Sequence, residues 1–218
     1  MAHFVIFGGS GMIGRRAVRE ALDRGHKVTA VVRDPAKLTE QDPELTVVAG
    51  DVTDPAAVAK LSAGADAVIS AVSPMTVAGD DPEVTFAPVV AGLVEGLRAT
   101  GPDAPPLVVV GGAGSLKLPS GELLMDAPFF PDEYKAAAFA HADLLDRLRR
   151  VPDLAWSYFS PASVIAPDKR TGTFRLGGDD LLFDPEGDSF ISAEDYAVAL
   201  VDEAESPKHV RERFTIAY

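Results

Sequence analysis

Gly8-Gly9-Ser10-Gly11-Met12-Ile13-Gly14 follows the apolar run Phe4-Val5-Ile6-Phe7 and opens a segment whose Ile13, Ala17, Val18, Ala21 and Leu22 recur at helical spacing. The order reads as strand, tight glycine turn, helix. Glycines at 8, 11 and 14 permit a sharp turn, a close backbone approach to a pyrophosphate and close packing of helix on strand. The helix start then offers amide N–H groups and the positive end of its dipole to a phosphate. The spacing is Gly-x-x-Gly-x-x-Gly, a variant of the Gly-x-Gly-x-x-Gly of two-domain dehydrogenases. Gly9 to Gly14 also meets P-loop spacing, but Arg15-Arg16 stand where Lys and Ser/Thr would hold a triphosphate and its magnesium, which argues against an NTPase. The plain alternative is a turn that only joins strand to helix.

Working outward, Val28-Thr29-Ala30-Val31-Val32 and Leu45-Thr46-Val47-Val48-Ala49 read as buried strands two and three. Asp54-Pro55 reads as an N-cap and first helical residue of a short helix ending near Leu61, and Ala67 to Ala71 is strand four. The Pro and Gly cluster Pro74 to Pro82 is a loop, and Val84 to Thr100 carries helical periodicity. Leu107 to Val110 is strand five, closed by Gly111-Gly112. Ala113 to Asp132 is long for a connection and therefore a candidate functional loop. A helix from about Glu133 to Arg150 leads to strand six, Leu154 to Phe159. Residues 163–192 read as a substrate-side cap of short strands, Ser192 caps a helix to about Glu205, and Phe214 to Ala217 is a last strand. Alternating strands and helices predict a three-layer Rossmann-type α/β fold. Its doubly wound parallel sheet has six or seven strands, with ligand at their carboxyl ends.

The composition narrows the class. At 218 residues and 47% hydrophobic content, with no shift marking a boundary, the expectation is a single domain over residues 1–218. Cysteine is absent, which excludes disulfides, thiolate metal sites and a cysteine nucleophile. His3, His26, His141 and His209 lack metal-ligand spacing, so no metal is expected. No Gly-x-Ser-x-Gly elbow occurs, against a serine hydrolase. A net charge of −13 disfavours nucleic acid and anionic membranes as partners and confines phosphate binding to local groups, with Arg15, Arg16, Arg33 and Lys37 as the cations. The first strand starts within three residues of Met1 and no apolar run reaches membrane-spanning length, so a cytoplasmic protein is expected.

Arg33 lies nineteen residues after Gly14, at the end of strand two, where NAD-specific sites place an acid on the ribose 2′-hydroxyl. Arginine there suits a 2′-phosphate, with Lys37 beside it and Asp34 tempering the field. NADP(H) is therefore expected over NAD(H). Asp51, after strand three, is placed either to accept from an adenine amine or to cap its own turn.

With these segments, Val109-Val110-Gly111-Gly112-Ala113-Gly114-Ser115 and Ser160-Pro161-Ala162 added, the chain resembles the atypical short-chain dehydrogenase/reductases. Within them it is most similar to small NAD(P)H-binding proteins of the NmrA-like, epimerase-like and NADH-flavin reductase-like kind. The resemblance implies that Gly8, Ser10, Gly11, Met12 and Ile13 hold the pyrophosphate and Arg33 the 2′-phosphate. It also implies that Asp51 and Val52 flank adenine, that Ala71 and Val72 line the ribose side, and that Gly111 and Gly112 follow strand five at the site.

The family's Tyr-x-x-x-Lys dyad is missing. Tyr134 is followed four residues on by Ala138, and counting back from Trp156 puts Ala137 and His141 at the dyad positions. Ser115, Tyr134 and His141 remain as candidate catalytic groups. Phe129-Phe130 is the candidate aromatic lid, while Trp156, Tyr158 and Phe159 divide between core and site. Flavin- or quinone-like small-molecule acceptors delocalise a hydride's charge and take a proton from water, so an NADPH-dependent reductase of such acceptors is expected. A non-catalytic, NADP(H)-sensing regulatory module is the alternative. A sugar epimerase or dehydratase is disfavoured, because no dyad supplies the base.

Overall fold

A computed structural model describes residues 1–73 and 86–218. The expected loop at Pro74 to Pro82 and the expected helix start at Val84 lie outside them. The chain runs β1 (His3–Phe7), α1 (Met12–Asp23), β2 (Lys27–Val32), β3 (Leu45–Ala49), α2 (Pro55–Ser62), β4 (Ala67–Ser70), α3 (Ala87–Ala99), β5 (Leu107–Val110) and α4 (Asp132–Leu148). It continues through β6 (Trp156–Ser160), β7 (Val164–Ala166), β8 (Arg175–Gly177), β9 (Phe190–Ser192), α5 (Ala193–Glu205) and β10 (Glu212–Ala217).

The main sheet has the order β3-β2-β1-β4-β5-β6-β10-β8. All its pairs are parallel except β10 with β8. The order reverses between β1 and β4, the switch point at which an open α/β sheet binds its ligand. This is a Rossmann-type fold.

Alternation along β1 distributes the core. Phe4 and Ile6 face Ala17, Val18, Leu22, Tyr196 and Leu200 of α1 and α5. Val5 and Phe7 face Val58, Leu93, Leu97 and Leu144 of α2, α3 and α4 on the other side. Phe159 stacks between Tyr196 and Phe214, with ring centroids 4.2 and 4.1 Å away.

Two expectations are corrected. Strand three is not buried: β3 is the sheet's edge, pairs with β2 alone and has only half-buried and exposed residues. The main sheet has eight strands rather than six or seven, because the segment around Arg175 doubles back and pairs antiparallel with β10. The rest of the cap contributes its own two-stranded sheet, β7 with β9.

Helix caps follow the local chemistry. Asp54 accepts from Ala56 N, with Pro55 opening α2. Ser192 Oγ accepts from Asp195 N at the start of α5. The Asp195 carboxylate, fully buried, accepts from Thr171 N, Gly172 N and the Tyr218 hydroxyl, binding the cap to α5 and to β10's end. No helix among the described residues is long and apolar enough to cross a membrane.

Candidate nucleotide site

The chain turns off β1 at Gly8, whose φ of +80° is open to glycine. A Cβ there would stand 2.6 Å from the Ala71 carbonyl oxygen, so the turn lies directly against the end of β4. Gly8 N donates to Val31 O and Gly11 N to Gly8 O, both at 3.0 Å. Gly11 is the N-cap of α1 and supplies no side-chain cap, so first-turn amides that a helix leaves unpaired stay open to an anion.

A cavity of about 480 Å³ opens over the ends of β1 to β4. Gly8, Ser10, Gly11, Arg33, Asp51, Val52, Ala71 and Val72 all line it. Sequence reasoning had not singled out Phe7, Val31, Gly50, Thr53 and Ser73, which complete the lining with Asp34 and Lys37. They sit beside predicted residues at the same strand ends, and that adjacency was the available signal. Met12 and Ile13 stand on the first turn of α1, outside the lining, where only their backbone can serve a phosphate.

The cations divide by tertiary contact. Arg15 donates to the Ser10 carbonyl at 2.8 Å and braces the loop. Arg16 bonds Met12 O and pairs with Glu194 of α5 at 2.6 Å. The Arg33 and Lys37 side chains are exposed at the cavity and have no hydrogen-bond or ion-pair partner among the described residues. The nearby acids are turned inward. Asp34 accepts from Ala36 N in its own turn, and Asp51 Oδ1 accepts from Thr53 N at 2.9 Å and the Thr53 hydroxyl at 2.8 Å. The Thr53 amide, then its hydroxyl and then Arg33 hold the Asp51 carboxyl below its ordinary range. Asp51 thus caps its turn and still borders the cavity.

Gly111 and Gly112 do not line this cavity; packing accounts for both. A Cβ on Gly111 would stand 2.3 Å from the Tyr158 ring, and one on Gly112 2.9 Å from the His141 ring. The Tyr158 hydroxyl accepts from Gly112 N at 3.1 Å and donates to His141 O at 3.0 Å.

No hydrogen bond or ring contact links the three candidate catalytic groups among the described residues, although the segment after β5 that carries Ser115 packs against α4, a Cβ on Gly114 standing 2.6 Å from Ala138 Cβ. The Ser115 hydroxyl and carbonyl both accept from Arg213 at 3.1 Å. Tyr134 is exposed on the first turn of α4. His141 packs beside Phe86, 5.1 Å between centroids, and burial lowers its pKa to about 4, so its ring is neutral at pH 7. Its Nδ1 is buried with no partner among the described residues. Ala137 and His141 do lie one turn apart on α4, but neither offers the chemistry of tyrosine or lysine. The expected aromatic lid divides too: Phe129 is 69% exposed, whereas Phe130 packs on the cluster of Leu116, Leu124 and Leu181. Trp156, Tyr158 and Phe159 are core. No group of three metal-ligating side chains occurs among the described residues.

Fold and cavity define a nucleotide-binding α/β protein. The chain belongs to the NAD(P)H-binding family, whose model matches residues 8–207. A candidate exported protein of Burkholderia pseudomallei is 45% identical, with a TM-score of 0.86 and all of both chains covered. A candidate epimerase of Bacteroides thetaiotaomicron is 39% identical with a TM-score of 0.87, covering 100% of this chain and 97% of that one. A candidate NADH-flavin reductase of Streptococcus pneumoniae is 33% identical with a TM-score of 0.82, covering 100% and 99%. These agree with the short-chain dehydrogenase/reductase resemblance, and their names differ in the chemistry they state.

Proposed function

We propose that this protein is an NADPH-dependent reductase of flavin- or quinone-like acceptors, cytoplasmic and without nucleic-acid or membrane partners. The observation that carries the cofactor preference is the pair of cations, Arg33 and Lys37, at the cavity over the end of β2, whose side chains make no hydrogen bond or ion pair among the described residues. Asp34 and Asp51 spend a carboxylate oxygen on their own turns there. Gly8, Ser10 and Gly11, with the backbone of Met12 and Ile13, would hold the pyrophosphate; Asp51 and Val52 would flank the adenine, and Ala71 and Val72 the ribose. Gly111 and Gly112 would keep the end of β5 in place through Tyr158 and His141.

When bound, the nicotinamide supplies the hydride. The chain's part is to orient the two rings and exclude water. Among the described residues the candidates, a neutral His141, an Arg213-bound Ser115 and an exposed Tyr134, form no Tyr-Lys-like acid, which favours acceptors that need none. NADPH absorbance followed against free flavins, quinones and aldehydes tests the reading: oxidation by flavins or quinones supports it, and oxidation by aldehydes alone rejects it. The missing Tyr-x-x-x-Lys dyad supports a second reading, a cofactor-sensing module, for which partner affinity would follow the redox state of the bound nucleotide.

A further inference from the structure

We infer that a second cavity on the same sheet edge selects planar ring acceptors that carry no phosphate, an inference that deepens the reductase reading and rests on it. Phe129, Phe183, Phe190, Leu124, Leu181 and Val164 give this space of about 570 Å³ its apolar wall. Its position follows from the sheet. Ser163 and Val164 come just after the carboxyl end of β6, and Leu118, Leu124 and Phe129 belong to the segment that leaves β5. The nucleotide cavity takes the ends of β1 to β4, so the two lie over neighbouring parts of one edge. A dinucleotide laid across that edge extends from the first toward the second.

The wall is built from sequence-distant pieces bonded to each other. Lys117 N donates to Asp179 O at 2.9 Å and Leu181 N to Lys117 O at 2.8 Å. Leu116, Leu124 and Leu181 form an apolar cluster beneath, with Phe130 and Phe183 against it. Ser163 and Ser189 are bonded mutually, Ser163 Oγ donating to Ser189 O at 2.9 Å and Ser163 N to Ser189 Oγ at 3.1 Å. What remains for a ligand is mainly aromatic and aliphatic surface, suited to a flat ring.

Charge supplies the selectivity. The ionisable groups in the lining are Asp184 and Asp188; no Lys, Arg or His lines it among the described residues. Asp184 Oδ1 accepts from Glu186 N at 3.0 Å and Asp188 N at 2.8 Å, which fixes a tight turn carrying three carboxylates. A phosphate brought to this cavity meets like charge, and the guanidinium beside the lining, Arg175, is already bonded to Phe183 O at 2.6 Å and Tyr218 O at 3.2 Å, whereas an uncharged ring substituent meets no repulsion.

Riboflavin and FMN differ only by the phosphate, so the test is their binding by flavin fluorescence quenching, with NADPH titrated into the same samples. Riboflavin is expected to bind, and FMN about tenfold or more weakly at low salt, the gap narrowing as salt rises. Asp188→Asn, whose carboxylate holds no other group among the described residues, should bring the ratio within about threefold. Phe129→Ala, on an exposed side chain, should weaken both flavins about fivefold. FMN binding as tightly as riboflavin, a ratio unmoved by Asp188→Asn, or no riboflavin binding in a protein that binds NADPH would each overturn the inference. A protein that separates the two flavins but binds no NADPH overturns the reductase reading instead.

Discussion

Gly14 packs so closely on Gly8 that an added Cβ would stand 2.1 Å from the Gly8 carbonyl oxygen. That oxygen also accepts from Gly11 N, so the helix start and the turn form one rigid piece. Gly14→Ala must push backbone against backbone and is expected to cost about 1–3 kcal/mol in denaturant unfolding. Gly11→Ala is the contrast: its φ is −73° and its added Cβ meets nothing nearer than 3.3 Å. It should fold nearly as well as the parent yet weaken NADPH tenfold or more, about 1.4 kcal/mol, because its new methyl group stands at the cavity. Unaltered NADPH affinity in Gly11→Ala would argue that the loop holds no phosphate.

Arg33→Ala should weaken NADPH by about ten- to a hundredfold and NADH hardly at all, since a charge-assisted bond is worth roughly 1.5–3 kcal/mol. Calorimetric titration with both cofactors checks it. Equal losses for the two would show that Arg33 does not read a 2′-phosphate.

Burial lowers the His141 pKa to about 4 from an unfolded value of 6.5, so the unfolded chain binds the extra proton between those limits. Stability from this group is complete above pH 6.5 and is lost as pH falls toward 4, by about 3 kcal/mol in all. Since Nδ1 is buried without a partner among the described residues, His141→Leu should hold its stability at pH 7 and flatten that acid limb. Urea unfolding at a series of pH values measures both effects. An acid limb as steep in the variant as in the parent would place its origin elsewhere.

Glu20, 7% exposed, pairs with Arg24 at 2.9 Å and Arg170 at 2.8 Å, tying α1 to the cap. The Arg170 guanidinium, and then Arg24 against the opposing cost of burial, holds the carboxyl below its usual 4.5. Its contribution is present above the unfolded value and is lost as pH falls through the folded one. Glu20→Gln should therefore cost about 1–3 kcal/mol at pH 7 and much less at pH 3. Equal costs at the two pH values would mean that packing, not charge, is what Glu20 supplies.

The central sheet, the glycine turn and most of the lining of the cavity beside it were legible in the sequence, because each rests on short-range rules. Period-two alternation in Phe4 to Phe7, the glycine spacing, and Asp54-Pro55 or Ser192 at helix starts act over a few residues. Parallel strand topology then brings their carboxyl ends, with Arg33, Asp51 and Ala71, to one edge. Only the tertiary structure decided the eighth strand, the edge position of β3, the pairing of Arg16 with Glu194 across 178 residues, and the walling of the second cavity by Phe129 and Phe183. It likewise decided that Gly111 and Gly112 serve Tyr158 and His141. Those outcomes depend on which distant side chains arrive beside one another, and a local pattern carries no record of the partner it will meet.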